Sequence, residues 1–388
     1  MNATIITPNV SANDIEQPGA IQADQTLILF ELYYTPCLVV LGVLGNSLSV
    51  FVFLKSKLKK LSSSYYLAAL AFSDTFFLIA LFLTWLSLIG LDIYDKPVAC
   101  EVIIYTSSVS AFLSVWLVLA FTAERFLAVG YPFQRQTVWK VSHTKRAKTV
   151  IFILLILAML IYTPYFFFAG VRVIEPRGPT CTMMKEWENE MHIFNIFDTV
   201  VTYVIPVVGI AVLNVFISRN MWIMAKVRKR LINQGSIPAR EEAAPSHKKK
   251  ATPLNQYKIT KMLLMVSTTC LCLNLPSYIM RLLAGFIESN YIIVPNLATF
   301  IIAQQYCLQL FNTNFGIDFV LYCISGQNFR KAVRALFCPR PFRRRDTAMT
   351  ESRTQSIGSS VMSRKKRTPV SSDNQESVST QIIAMKVL

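Results

Sequence analysis

Charge is the scarcest commodity in this 388-residue chain: Asp, Glu, Lys and Arg make up 16% of it, against ~25% in ordinary soluble domains. Histidine is scarce too. His143, His192 and His247 all lie outside the centres of the long apolar runs, and no HExxH pattern occurs, which argues against a membrane-embedded zinc enzyme. There is no internal repeat and no pair of interrupted apolar segments, so a transporter built from inverted halves is disfavoured. The first 27 residues hold no Lys or Arg and no apolar run. A cleavable signal peptide is therefore not expected, and the first apolar run should act as its own signal anchor.

What the chain does have is apolar length. Hydrophobic residues make up 53%, concentrated in runs at 28–54, 64–90, 98–130, 148–170, 194–225, 258–286 and 296–323. Each approaches or exceeds the ~20 residues that a helix needs to cross a bilayer core. Only helices and closed barrels satisfy their backbone in lipid, and these runs are too long for the ~10-residue strands of a barrel. The fold class expected is an all-α membrane protein with seven transmembrane helices.

The net charge of +17 could suggest a nucleic acid partner, but its placement excludes one. Lys55, Lys57, Lys59 and Lys60 follow the first run, and Lys140, Lys145, Arg146 and Lys148 follow the third. Arg228 to Arg230 and Lys248 to Lys250 follow the fifth, and Arg343 to Arg345 the seventh. The alternate loops instead carry Asp92, Asp95, Glu175, Glu186, Glu188, Glu190 and Glu288. The positive-inside rule then puts the N-terminus outside and the C-terminus in the cytoplasm, which requires an odd number of spans.

This topology divides the chain into an outer tail (1–27), a helical bundle (28–325), a membrane-surface helix (326–338) and a cytoplasmic tail (339–388). Asn2 and Asn9 open glycosylation tripeptides in the outer tail. Residues 231–256 read as a flexible cytoplasmic loop, and 339–388, rich in Ser, Thr and Arg, as disordered. From Gly326 to Phe337, Phe329, Val333, Leu336 and Phe337 share one face opposite Arg330, Lys331 and Arg334, the pattern of an amphipathic helix on the lipid surface. Cys338 follows as a palmitoylation candidate or an idle thiol. In the loop after the fourth run, Arg172 to Glu175 and Thr180 to Met183 flank a turn-rich centre and read as a β-hairpin.

Asp74, Arg125 and Asp318 sit inside apolar runs, where an ionisable side chain costs at least ~2.5–3.5 kcal/mol and is rarely idle. Their settings are Leu-Ala-Phe-Ser-Asp (Leu70 to Asp74), Glu-Arg-Phe (Glu124 to Phe126) and Asp-Phe-Val-Leu-Tyr (Asp318 to Tyr322). In this order the set resembles the rhodopsin-like (class A) G-protein-coupled receptors, over a stretch from about Ile28 to Cys338.

That resemblance implies a disulfide between Cys100 and Cys181, with Cys37 the competing outer cysteine. It implies that Glu124, Arg125, Phe126, Pro206, Pro276 and Tyr322 serve activation and coupling to a heterotrimeric G protein. Arrestin would be engaged through the phosphorylatable tail. A polar core of Asn46, Asp74, Asn314 and Asp318 is implied as an ion or water site: no resident cofactor is expected, but an allosteric sodium ion could bind there through oxygen ligands. The other reading of the two carboxyls is a protonated or water-bridged pair that only holds helices together.

The chain departs from the family pattern at several places. Asp318-Phe319 stands for the usual Asn-Pro, Asn274 for a Trp before Pro276, Asn214 for a Tyr, and Gln256 for the acidic partner of Arg125. The usual Trp of the fourth helix is absent. These departures resemble a branch of invertebrate neuropeptide receptors, near those for FMRFamide, CNMamide and thyrotropin-releasing hormone. Ser107 where amine receptors carry Asp, and Asn312 where opsins carry Lys, argue against both of those classes.

An extracellular peptide is thus the expected ligand. A small molecule or lipid is the alternative, and a transporter a more distant one. Candidate ligand contacts are Trp85, Tyr105, Ser108, Asn195, Asp198, Thr202, Tyr278, Arg281, Gln304, Gln305 and Leu308; interhelical packing is the other reading of each. The outer acids, with Asp198 in the upper bundle, predict a cationic peptide, C-terminally amidated, with Arg281, Gln304 and Gln305 near its amide.

Overall fold

The structure, a computed structural model, describes residues 18–130, 143–175, 178–233, 253–288 and 296–337. Asn2, Asn9, Cys338, the 339–388 tail, most of the 231–256 loop and the side chains of Gln256 and Lys258 lie outside the description.

The apolar runs form helices α1 (Pro18–Lys55), α2 (Ser62–Leu88), α3 (Ala99–Gly130) and α4 (His143–Tyr162). Helix α5 runs without a break through Glu188–Asp198, a π-helical stretch Thr199–Val204, and Ile205–Asn233. Then come α6 (Pro253–Glu288), α7 (Leu297–Ser325) and α8 (Gln327–Phe337). Among the described residues, seven helical segments are long and apolar enough to cross a membrane. Helix α1 extends back to Pro18, beyond the apolar run itself.

Large apolar side chains stay uncovered at many positions, for example Phe152 (62% exposed), Leu160 (68%) and Val215 (67%). So much exposed apolar surface is expected where the surrounding solvent is hydrocarbon rather than water. The buried interior mixes aromatic and polar groups. Phe77, Phe311 and Phe315 pack together, Phe77 stacked on Phe315 at 3.6 Å, while Asn46, Asp74 and Asn274 are each at most 1% exposed. Helices α1 and α7 approach closely at Gly42, where a Cβ would stand 3.0 Å from the Cα of Gly316; small residues let membrane helices come together in this way.

Helix α7 continues unbroken past Phe319, consistent with the absence of a proline there; the ring of Phe319 instead packs on Gly45. Helix α8 forms over the stretch expected and turns Phe329 toward the bundle. Phe329 is 1% exposed and packs 5.2 Å from the Phe53 ring. Arg330 donates to the carbonyls of Cys323 (2.7 Å) and Ile324 (2.5 Å), satisfying acceptors at the end of α7.

The outer loop is a two-stranded antiparallel hairpin, β1 (Ala169–Ile174) with β2 (Gly178–Met183). Gly178 enters β2 with φ +81°, a conformation costly for any residue with a Cβ. A Cys100–Cys181 disulfide ties β2 to the start of α3, and the Cys181 amide donates to the Asp95 carboxylate at 2.8 Å. Cys37 is a free thiol. Because both cysteines serve one bond, Cys100→Ala and Cys181→Ala should each lower surface expression or ligand binding, and the double variant should add little. Surface immunoassay of the three variants checks this; additive losses would contradict it.

Candidate functional site

Three polar layers lie along the bundle. The outermost is built around Asp198, in the last turn of α5 before the π-helical stretch. Its side chain is fully buried. Tyr162 (2.5 Å) and Thr202 (2.8 Å) both donate to Oδ1. Arg281 of α6 donates to Oδ2 at 2.9 Å and, through its other terminal nitrogen, to the Tyr203 hydroxyl at 2.6 Å. The guanidinium also lies 4.8 Å from the Tyr203 ring centroid. One carboxylate therefore joins α4, α5 and α6.

A buried charge is tolerated only when so compensated; removing one partner of such a pair typically costs about 3–5 kcal/mol. The π-helical turn, one residue wider than an α-turn, begins immediately after Asp198 and contains Thr202 and Tyr203. Pro206, two residues beyond its end, cannot donate a backbone hydrogen bond.

Of the two readings of Asp198, the interhelical one is seen here: the carboxylate is bonded to Arg281 and two hydroxyls. Ser108 and Thr202, each 1% exposed, are likewise interior. Tyr278 is 6% exposed, packs 4.1 Å from Tyr203, and its hydroxyl is buried without a hydrogen-bond partner. Trp85 stacks on Phe82 at 5.6 Å, and its indole N–H is also buried without a partner. The Tyr105 hydroxyl donates to the Met159 carbonyl at 3.2 Å.

Asn195, Gln304, Gln305 and Leu308 are half-buried, Leu308 against the aromatic cluster. Among the described residues no hydrogen bond joins either glutamine to Arg281. Above this layer Glu186 is not a free rim charge either: Arg172 grips both of its oxygens, at 2.7 and 2.8 Å. Glu188 and Glu190 remain exposed.

The middle layer holds Asp74 (1% exposed), Asp318 (5%) and Asn314 (6%). Tyr322 donates to Asp318 at 3.1 Å, and Asn46 donates to the Phe315 carbonyl at 2.8 Å. Both carboxylate oxygens of Asp74, Oγ of Ser114 and Oδ1 of Asn46 are buried without protein partners. Oxygen atoms left in this way need water or a hard cation, so the donor set fits a small metal ion such as sodium. Among the described residues no group of three or more His, Cys, Asp or Glu side chains is gathered as a metal site. Asn274 donates to Cys270 Sγ at 3.2 Å and is 1% exposed. Pro276 lies within the continuous α6.

The inner layer is Glu124-Arg125. Arg125 is 6% exposed and donates to Ser63 of α2 and, at 3.4 Å, to Glu124. Glu124 accepts from Ser62. Arg125 is therefore held toward α2 rather than snorkelling to headgroups. Phe126 packs on Phe216 of α5 at 6.0 Å.

Sequence reasoning did not single out Ser62, Ser63, Tyr162 or Tyr203. A signal was present for the serines, a Ser-Ser-Ser run (Ser62 to Ser64) at the inner mouth of a span. For the tyrosines, only the position of Asp198 in an apolar run hinted that partners were needed.

Residues 45–313 match the model of the 7 transmembrane receptor (rhodopsin family). The chain belongs to that family: it is a G-protein-coupled receptor, a multi-pass plasma-membrane protein with its N-terminus outside the cell. Among its relatives, somatostatin receptor type 2 of Sus scrofa is 23% identical over 344 residues, covering 87% of this chain and 84% of the relative. The thyrotropin-releasing hormone receptor of Mus musculus is 25% identical over 308 residues, 76% of each chain. The pyroglutamylated RF-amide peptide receptor of Mus musculus is 24% identical over 310 residues, 77% of this chain and 67% of that one.

Two variants test the inner layer. Arg125→Ala should reach the surface normally and lose G-protein signalling. Ser63→Ala removes a buried bond to a charged group, worth about 1.5–3 kcal/mol, and should raise agonist-independent signalling. Calcium and cyclic AMP assays normalised to surface level check both, and full signalling by Arg125→Ala would remove its assigned role.

Proposed function

We propose that the chain is a receptor for an extracellular peptide, which activates a heterotrimeric G protein when the inner ends of α5 and α6 move outward. The observation that carries this reading is the outer polar layer: a partly exposed arginine, backed by a buried carboxylate, in a bundle whose outer loop is a disulfide-tied hairpin. Such a site offers hydrogen-bond donors to a peptide terminus or backbone. The names of the relatives point the same way.

The expected ligand changes in one respect. A cationic peptide is now favoured by exposed outer acids such as Asp92, Glu175, Glu188 and Glu190, which would speed association without anchoring the bound state. No catalytic chemistry is assigned to the chain. We assign arrestin binding to the phosphorylatable tail. In the polar core, Asp74, Asn314 and Asp318 would hold a sodium ion, which would supply a compensating positive charge.

A peptide library applied to cells expressing the receptor, with calcium and cyclic AMP readouts, tests the reading. At least one peptide should activate, and Arg281→Gln should weaken it by about tenfold or more, the loss of about 1.4 kcal/mol. Activation by a lipid or an amine, with every peptide silent, would overturn the proposal.

A further inference from the structure

The inference rests on the peptide reading and concerns the charge of the ligand group that Arg281 accepts. Arg281 and Asp198 are not equally reachable: the arginine side chain is 27% exposed, the carboxylate not at all. A ligand entering from outside therefore meets the arginine. One N–H of each terminal nitrogen is committed, to Tyr203 and to Asp198, and the remaining donors of the planar guanidinium are available to an acceptor.

Those donors carry little net charge. Asp198 neutralises the cation at 2.9 Å, and among the described residues no other ion pair reaches either group. Tyr162 and Thr202 both donate to the other oxygen of Asp198, which fixes the carboxylate in place.

We infer that Asp198 is a specificity-determining residue, which acts through Arg281 to make the site select a neutral acceptor, such as a carboxamide, and reject a carboxylate. A carboxylate would have to shed its water beside a pair that is already neutral, leaving one uncompensated negative charge in a partly buried site. A neutral amide oxygen takes the same N–H groups and gives up far less hydration. Asp198 thus governs which ligands bind without touching them.

The test uses the full-length receptor in cells and a library of short peptides, each made as the C-terminal amide and as the free acid. Each activating sequence should be at least about tenfold more potent as the amide. In Asp198→Asn the guanidinium keeps its charge without compensation, so the ratio should fall to equality or reverse. Tyr162→Phe removes a hydrogen bond from the same carboxylate but keeps the charge, and should leave the ratio unchanged; this separates charge selection from a merely structural role.

Free acids as potent as amides on the unaltered receptor would overturn the inference, as would an unchanged ratio in Asp198→Asn at the surface. If that variant does not reach the surface, the ratio on the unaltered receptor decides alone. Silence of both peptide sets would instead refute the peptide reading, and this inference with it, an outcome distinct from activation without discrimination.

Discussion

Inside a bilayer no water is available to a stranded polar group, and that constraint orders the rest of this molecule. The backbone answers it with continuous helices. The side chains answer it by clustering: Asp198 collects hydroxyls from two helices and a cation from a third, and Glu124 and Arg125 share two serines of α2. In the middle layer the protein leaves the demand unmet at both oxygens of Asp74 and at Ser114 and Asn46. The carboxylates of the outer and inner layers thus find protein partners, whereas that of Asp74 does not.

The same constraint explains where the helices are irregular. Pro206 removes a donor, and the preceding π-helical stretch adds a residue to one turn. Together they rotate the outer part of α5 relative to its lower part. That rotation sets which α5 residues face the interior, and it places Asp198, Thr202 and Tyr203 together on the side of α4 and α6. A regular helix would space its partners differently, so the irregularity and the ionic layer depend on each other. Wide turns of this kind are common at functional sites.

The fold was legible because hydrophobic length, charge asymmetry and three intramembrane ionisable residues all bear on one architecture. The hairpin and α8 were legible from local pattern, a turn-rich centre between β-capable residues and an amphipathic stripe. The site was legible only in part. Sequence left Asp198 and Arg281 open between ligand contact and interhelical bonding, since nothing in a linear chain says that two residues 83 apart will find each other. A buried charge seeks the nearest compensating one, and the π-helical turn that brings them together has no sequence signature beyond the proline that follows it. The serines that hold Glu124 and Arg125 escaped notice for a similar reason: a hydroxyl at the end of a span usually needs no explanation.

The absence of a tryptophan before Pro276 bears on how the outer layer can reach the middle one. Where the family has that large ring, this chain has Asn274, buried and bonded to Cys270. Bulk is supplied by other residues. Tyr203 packs on Tyr278 at 4.1 Å, Tyr278 lies 6.1 Å from Phe311, and Phe311 is 5.2 Å from Phe315, whose backbone carbonyl is held by Asn46. The rings run from the partner of Arg281 to the edge of the polar core across α5, α6 and α7. Close-packed rings do not deform continuously; they repack between discrete arrangements. Any displacement of Arg281 that drags Tyr203 or Tyr278 must therefore be taken up by Phe311 or by a shift of α6 itself. Since Tyr278 and Arg281 lie on the same helix within one turn, the shift of α6 disturbs fewer contacts. A displacement of Arg281 would in this way pass into movement of α6 without a tryptophan before Pro276.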